Sequence, residues 1–380
     1  MQLFRSSITH YKKLIVLIGF VAFVSGCNTL AKRNDDGVVV ARRAQIRSST
    51  AVVAADLLEV NRGDAVDILD TQDVPDPNDN TKKERWLRVR AHDEENIEGW
   101  IEARNIMPDD VLESSKKLAD EDKSVSAQAT GQLRASSNLR LTPDRGGNEN
   151  IMMRLDSGSS FEIISWTRVP KPKSSETIES DVAPKAGSAQ QGNTHSGRGD
   201  DEDQPEETNE LWYKVRLSPS FSPAPAGWIY GKQVELTVPS DIIFYRTGRE
   251  FVAWQRLDGD SGDKDSTKDK DVAKEAKPGS WVILEKSSSN QPHTTDEPDF
   301  DRIYVLGYDK RNQEHYTAYR SPDIKGYLPV RIEGHGDNKS FTVRSQEDNG
   351  EMKDVQYGVF KDARGFLRVT APQTKDRRHR

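Results

Sequence analysis

The chain offers one thiol, Cys27, seven histidines and a scatter of Ser, Lys and acidic residues, and most of the chemistry these types support fails here on spacing. Zinc hydrolysis needs clustered His and carboxylate ligands. His92, His195, His293, His315 and His335 are far apart, with no His-x-x-x-His pair, and His315 alternates within Glu314-His315-Tyr316 as a strand-surface residue. The Ser-x-x-Lys spacing of some serine hydrolases occurs at Ser114 and Lys117, in a polar stretch with nothing to desolvate the lysine. Asp258-Gly259-Asp260-Ser261-Gly262-Asp263 approaches a calcium loop, but its sixth position is Asp where a sharp turn needs Gly, and Lys264, Lys268 and Lys270 oppose a cation. No catalytic residue, metal or cofactor is assigned. What remains is recognition chemistry. Trp212 and Tyr213 are neighbours on one predicted strand and must point to opposite faces. An outward Tyr213, with Tyr230 and Arg140, is the expected ligand-binding surface, because aromatic faces and donor groups suit flat, polar ligands.

The position of Cys27 is set by what precedes it. Arg5, Lys12 and Lys13 make a positive start, and residues 14–24 are apolar without a break. That run of about eleven fits the core of a signal peptide and falls short of the ~20 needed to span a bilayer. Val24-Ser25-Gly26-Cys27 then resembles the lipobox of bacterial lipoproteins. The resemblance implies a diacylglyceryl group on the Cys27 thiol, removal of residues 1–26 as a signal peptide, and membrane lipid as a partner. Each buried methylene contributes ~0.8 kcal/mol, so two or three acyl chains hold the protein stably. The implied location is the cell envelope, facing periplasm or exterior. Asn28 in place of an Asp after the cysteine implies the outer membrane if the organism is Gram-negative. A thiol consumed as an anchor is no nucleophile, which excludes the Cys–His peptidases.

The 380 residues allow two or three domains, with 31% charged and 34% hydrophobic side chains. The net charge is −7, and loss of the leader removes three cations and no acid. An acidic chain argues against nucleic acid as a partner. No second cysteine exists to form a disulfide framework.

Beyond a short polar tether the sequence repeats itself. Gln45-Ile46-Arg47, Gly63, Val66 and Ile68, Trp86-Leu87-Arg88-Val89-Arg90 and Gly99-Trp100-Ile101 make the first copy. Asn138-Leu139-Arg140, Gly158, Phe161 and Ile163, Trp212-Tyr213-Lys214-Val215-Arg216 and Gly227-Trp228-Ile229 make the second, in the same order. Apolar residues alternate with polar ones, as in half-buried antiparallel strands, and Gly63 and Gly158 fall where a turn feeds a strand. The pattern resembles the bacterial SH3-like (SH3b) domain, over residues 38–108 and 130–238, with 109–129 as a polar link containing a short helix. The family's barrels use the Gly-Trp-Ile tryptophan, here Trp100 and Trp228, for packing in or beside the core. The first copy departs from the pattern at Gln45 and carries Leu87 and Glu102 where the second has Tyr213 and Tyr230.

The second copy is interrupted by an insert at about 169–210, poor in large apolar residues and expected to be disordered, since it cannot offset its ordering entropy. Residues 240–371 read as a C-terminal all-β domain, barrel or sandwich, with strands beginning at Ile242-Ile243-Phe244-Tyr245, and match no family pattern we know. The fold class expected is all-β: two small SH3-like barrels, then a third β domain, with disordered inserts. The resemblance implies a non-catalytic envelope lipoprotein that binds the peptide or glycan of peptidoglycan. The alternative is a scaffold lipoprotein whose β domains contact other envelope proteins.

Overall fold

The computed structural model describes residues 35–76, 79–172, 208–246, 248–258, 278–287, 293–336 and 338–372. The leader and Cys27 lie outside the described residues, as do most of the 169–210 insert, residues 259–277 and the tail from 373. The described chain is all-β, with 22 strands and a single α-helix. Contacts divide it at Asp109 into two compact units.

The first unit is a seven-stranded antiparallel sheet. Its strands are β1 (Asp35–Val39), β2 (Arg43–Arg47), β3 (Asp56–Asn61), β4 (Ala65–Asp76), β5 (Asp79–Ala91), β6 (Glu98–Glu102) and β7 (Ile106–Pro108), with a 3-10 turn before the last. They lie in the order β3-β2-β6-β5-β4-β1-β7. The alternation read in the sequence fills one interior: Ile46, Val66, Val89 and Ile101 share a core, while Arg43, Gln45 and Arg47 face outward from β2.

The second unit opens with α1 (Asp109–Glu121), whose buried Ser115 donates to Ala226 O at 2.6 Å and accepts the Ala226 N–H at 3.2 Å. Strands β8 (Ala129–Leu133), β9 (Ser137–Arg140), β10 (Ile151–Leu155), β11 (Ser160–Pro170), β12 (Asn209–Leu217), β13 (Ala226–Tyr230) and β14 (Val234–Leu236) follow. Their order, β10-β9-β13-β12-β11-β8-β14, repeats that of the first sheet strand for strand, down to the 3-10 turn before the last. Gly63 and Gly158 both take positive φ, +94° and +80°, at the turn entering the fourth strand of each copy. At Gly227 a Cβ would lie 2.4 Å from Met152 Cε and 2.7 Å from Leu139 Cδ1, so the glycine of Gly-Trp-Ile faces inward at a close approach. Ile229 therefore also points in, fully buried, and Trp228 points out, half-buried beside the core.

The rest of the second unit is two antiparallel meanders. The first is β15 (Arg249–Arg256), β16 (Trp281–Ser287), β17 (Arg302–Asp309) and β18 (Glu314–Arg320). The second is β19 (Lys325–His335), β20 (Asn338–Gln346), β21 (Met352–Lys361) and β22 (Leu367–Thr370). Val282, Leu284, Ile303 and Val305 of one pack against Val330, Phe341, Val343 and Tyr357 of the other in a shared core. The strand expected at Ile242-Ile243-Phe244-Tyr245 is instead a 3-10 turn, Ile243–Tyr245. Both the Ile242 and Ile243 N–H groups return to Pro239 O, and only Ile242 is buried, so the run has no ladder to join.

Gln128 joins the repeat sheet to both meanders. Its main chain donates to Ile163 O at 2.7 Å and accepts Trp254 N–H at 2.8 Å. Its amide accepts Val330 N–H at 2.7 Å and donates to Val330 O at 3.2 Å. β11, β15 and β19 thus meet at one fully buried residue, the first two through its main chain and the third through its side chain.

Candidate functional site

The expected surface of Tyr213, Tyr230 and Arg140 is not assembled. In the β12–β13 ladder Trp212 stands opposite Tyr230, and Tyr213 opposite Ile229. Directly paired residues share a face, so Tyr230 lies with Trp212 and Tyr213 lies on the reverse side, with Val215. The expected opposition of Trp212 and Tyr213 holds, but Tyr213 is on the inward side and only 9% exposed.

Arg140 and Tyr230 are buried by one loop. Arg140 pairs with Trp228 across the ladder and donates from Nη1 to Gly147 O at 2.7 Å and Asn150 Oδ1 at 2.6 Å. In the same loop Arg145 lies 4.6 Å over the Tyr230 ring and forms a buried ion pair with Glu210, Nη2 to Oε1 at 2.5 Å. The repeat explains this role. Arg47 of the first copy likewise pairs with Trp100 and donates to the carbonyls of Val52 and Ala54 at 2.8 and 3.0 Å. The arginine that follows Leu139 or Ile46 clamps the loop after its strand.

Tyr213 instead reaches the wall of a cleft of about 270 Å³ within the second unit, between the β11–β12 ladder and the edge of β15–β16. Trp166 and Tyr213 form an aromatic wall, their rings edge to face at 6.0 Å. Lys286, His293 and Asp299 line the other side. Trp166 donates its indole N–H to Asp299 Oδ1 at 2.5 Å, and Leu328 N–H reaches Oδ2 at 2.9 Å. Asn209 Nδ2 donates to His293 O at 2.6 Å.

The electrostatics of the cleft separate engaged groups from available ones. Burial lifts the Tyr213 hydroxyl to about 12; Arg168 draws it down and Glu250 pushes it up. The phenol therefore stays neutral and keeps its proton to donate. Burial also raises the Asp299 carboxyl above its ordinary value, more than the Leu328 and Trp166 bonds lower it. For Glu297 burial again pushes upward, but bonds from Lys286 and His293 outweigh it and hold the carboxyl below the usual range. Lys286 Nζ is 2.8 Å from Glu297 Oε1 and donates to Pro298 O at 2.7 Å, while His293 Nδ1 is 2.6 Å from Glu297 Oε2. Arg168 and Glu250 line the same cleft, and their side chains make no hydrogen bond or ion pair among the described residues. Nothing in the sequence singles them out: the wall they share forms only when β15 docks beside β11.

One other sequence reading changes. The His315 side chain is 6% exposed rather than on the surface. It packs between Tyr245, edge to face at 5.3 Å, and Tyr308, tilted at 5.0 Å, with Nε2 2.8 Å from Gly279 O, because the 3-10 turn folds over that face of β18. Ser114 is spent within α1, donating to Asp110 O at 2.8 Å. No helix among the described residues is long and apolar enough to cross a membrane, and no group of three metal-ligating side chains occurs among them. No protein-family model matches the chain, and no curated protein matches it.

Proposed function

We propose that this is a non-catalytic lipoprotein of the cell envelope, anchored by acylated Cys27, that binds cell-wall peptide or glycan. Its two seven-stranded modules are read as SH3-like domains. Its binding site is the cleft beside Tyr213 rather than the surface around Tyr230 and Arg140. The supporting observation is the composition of that cleft: an aromatic wall of Trp166 and Tyr213, flanked by Arg168 and Glu250 with their charges unpaired among the described residues. Lys286, His293 and Glu297 hold one another, and Asp299 is fixed by two donors. The groups left for a ligand recognise charge and shape; they are not poised to relay a proton. Co-sedimentation of the full-length chain with purified peptidoglycan tests this. Retention that Arg168→Ala abolishes supports it, and a folded protein that stays in the supernatant refutes it.

One observation favours the scaffold alternative. In the first unit the β2–β3 loop presents Val52 and Val53 at 71% and 93% exposure, held out by the Arg47 clamp. A fixed apolar tip of this kind suits a protein contact. Crosslinking from position 53 in cells separates the readings: a discrete protein adduct lost in Val53→Asp supports the scaffold, and none leaves wall binding alone.

A further inference from the structure

We infer that the cleft of the second unit takes a short zwitterionic peptide, its carboxylate on Arg168 and its ammonium on Glu250. The inference rests on the wall-binding proposal and narrows it to a ligand class.

The charge pattern selects the class. A polyanion would meet Arg168 but also Glu250 and the Asp299 side chain; a polycation would meet the reverse at Arg168 and Lys286. A ligand with one charge of each sign satisfies both. The two groups whose charges are unpaired among the described residues stand on different strands, Arg168 on β11 and Glu250 on β15, and both line the cleft beside Tyr213. A ligand that spans them lies in the cleft that Tyr213 also lines, and a volume of about 270 Å³ is at the small end of ligand sites. Guanidinium grips a carboxylate in a fork that an ammonium side chain cannot offer. Trp166 and Tyr213 supply a flat apolar wall for the small side chains between the two charges.

The site is also built rather than incidental. The Asp299–Trp166 bond and the Asn209–His293 bond fix the two walls to each other, so the cleft exists before a ligand arrives. Preformed sites lose less entropy on binding, which matters for a ligand this small.

Dialanine is the probe, titrated calorimetrically into the full-length chain in mild detergent, with N-acetyl-dialanine and dialanine amide as controls. Dialanine is expected to bind with a Kd on the order of 1 mM. Blocking either end is expected to weaken it about tenfold or more. Arg168→Gln should remove the penalty for the amide, and Glu250→Gln the penalty for the acetyl group, while both variants keep the parent melting temperature. Equal binding of all three compounds, or no dialanine binding by a folded protein, overturns the inference. The two proposals fail separately. Retention on peptidoglycan without dialanine binding refutes the zwitterion site alone. Dialanine binding without retention on peptidoglycan supports the site and refutes the wall as its target.

Discussion

Trp166 hands its indole N–H to Asp299 across 2.5 Å, and that bond carries one wall of the cleft onto the other. Trp166→Phe keeps the ring and removes the donor, leaving Asp299 Oδ1 without its partner. The loss expected is about 1–3 kcal/mol, read by urea denaturation. Asp299 sits above its ordinary carboxyl value, so the native state binds its proton more readily than the unfolded chain does. Its contribution to stability therefore falls as pH rises through the raised value and is recovered on acidification. Trp166→Phe removes a bond that lowers this pKa and should steepen the dependence; Asp299→Asn should flatten it. Stability curves for the three proteins that run parallel as pH rises from below 3.8 to neutrality would contradict this.

Gln128 makes a sharper prediction about how the second unit coheres. Gln128→Ala strands both the N–H and the C=O of buried Val330. Each abandoned group costs about 1–3 kcal/mol, so a loss of several kcal/mol is expected from one exchange. The effect should fall on the docking of β19 and β15 to β11, and hydrogen exchange should quicken first at Val330 and Trp254. Protection unchanged at those two amides would show that the three strands are held by other means.

The loop clamp predicts parallel behaviour in the two copies. Arg140→Ala frees the loop that carries Arg145 over Tyr230, and buries Glu210 beside a weakened partner. It should destabilise the second unit by about 2 kcal/mol or more, since two hydrogen bonds from a fully buried guanidinium are lost. Arg47→Ala acts on an exposed loop whose carbonyls can turn to water, and should cost about 1 kcal/mol. Thermal melts of the two variants measure the contrast; equal shifts would refute it.

What the sequence made legible was local. Period-two alternation at Val66 and Ile68, Leu87 and Val89 or Tyr213 and Val215 marks strands because it depends only on neighbours two apart. The repeat was legible for the same reason, and the two sheets share one strand order. The grouping of Tyr213 with Tyr230 failed because it depends on register: a shift of one residue moves a side chain to the other face. Arg140 carried a true signal, its recurrence as Arg47, but recurrence marks a loop clamp as readily as a ligand contact. Gln128, Arg168 and Glu250 carried none. Their roles come from strands more than a hundred residues apart in the chain, or from walls that meet only on docking.

Glu285 gives the pH prediction with the clearest sign. It is fully buried on β16, and neither carboxylate oxygen has a hydrogen-bond partner among the described residues. Burial raises its pKa above the ordinary 4.5, and the attraction of Arg320, Arg302 and Arg249 does not cancel that rise. A carboxyl whose folded value is raised holds the native state together best when protonated. Stability is thus lost as pH climbs through the raised value and restored below 4.5. Glu285→Gln fixes the neutral form, so it should be more stable than the parent at neutral pH, with the gap closing as the solution is acidified. Chemical denaturation of both proteins across that range checks it. A variant less stable than the parent at pH 7 would mean that the three arginines, rather than the loss of water, set the energy of this carboxylate.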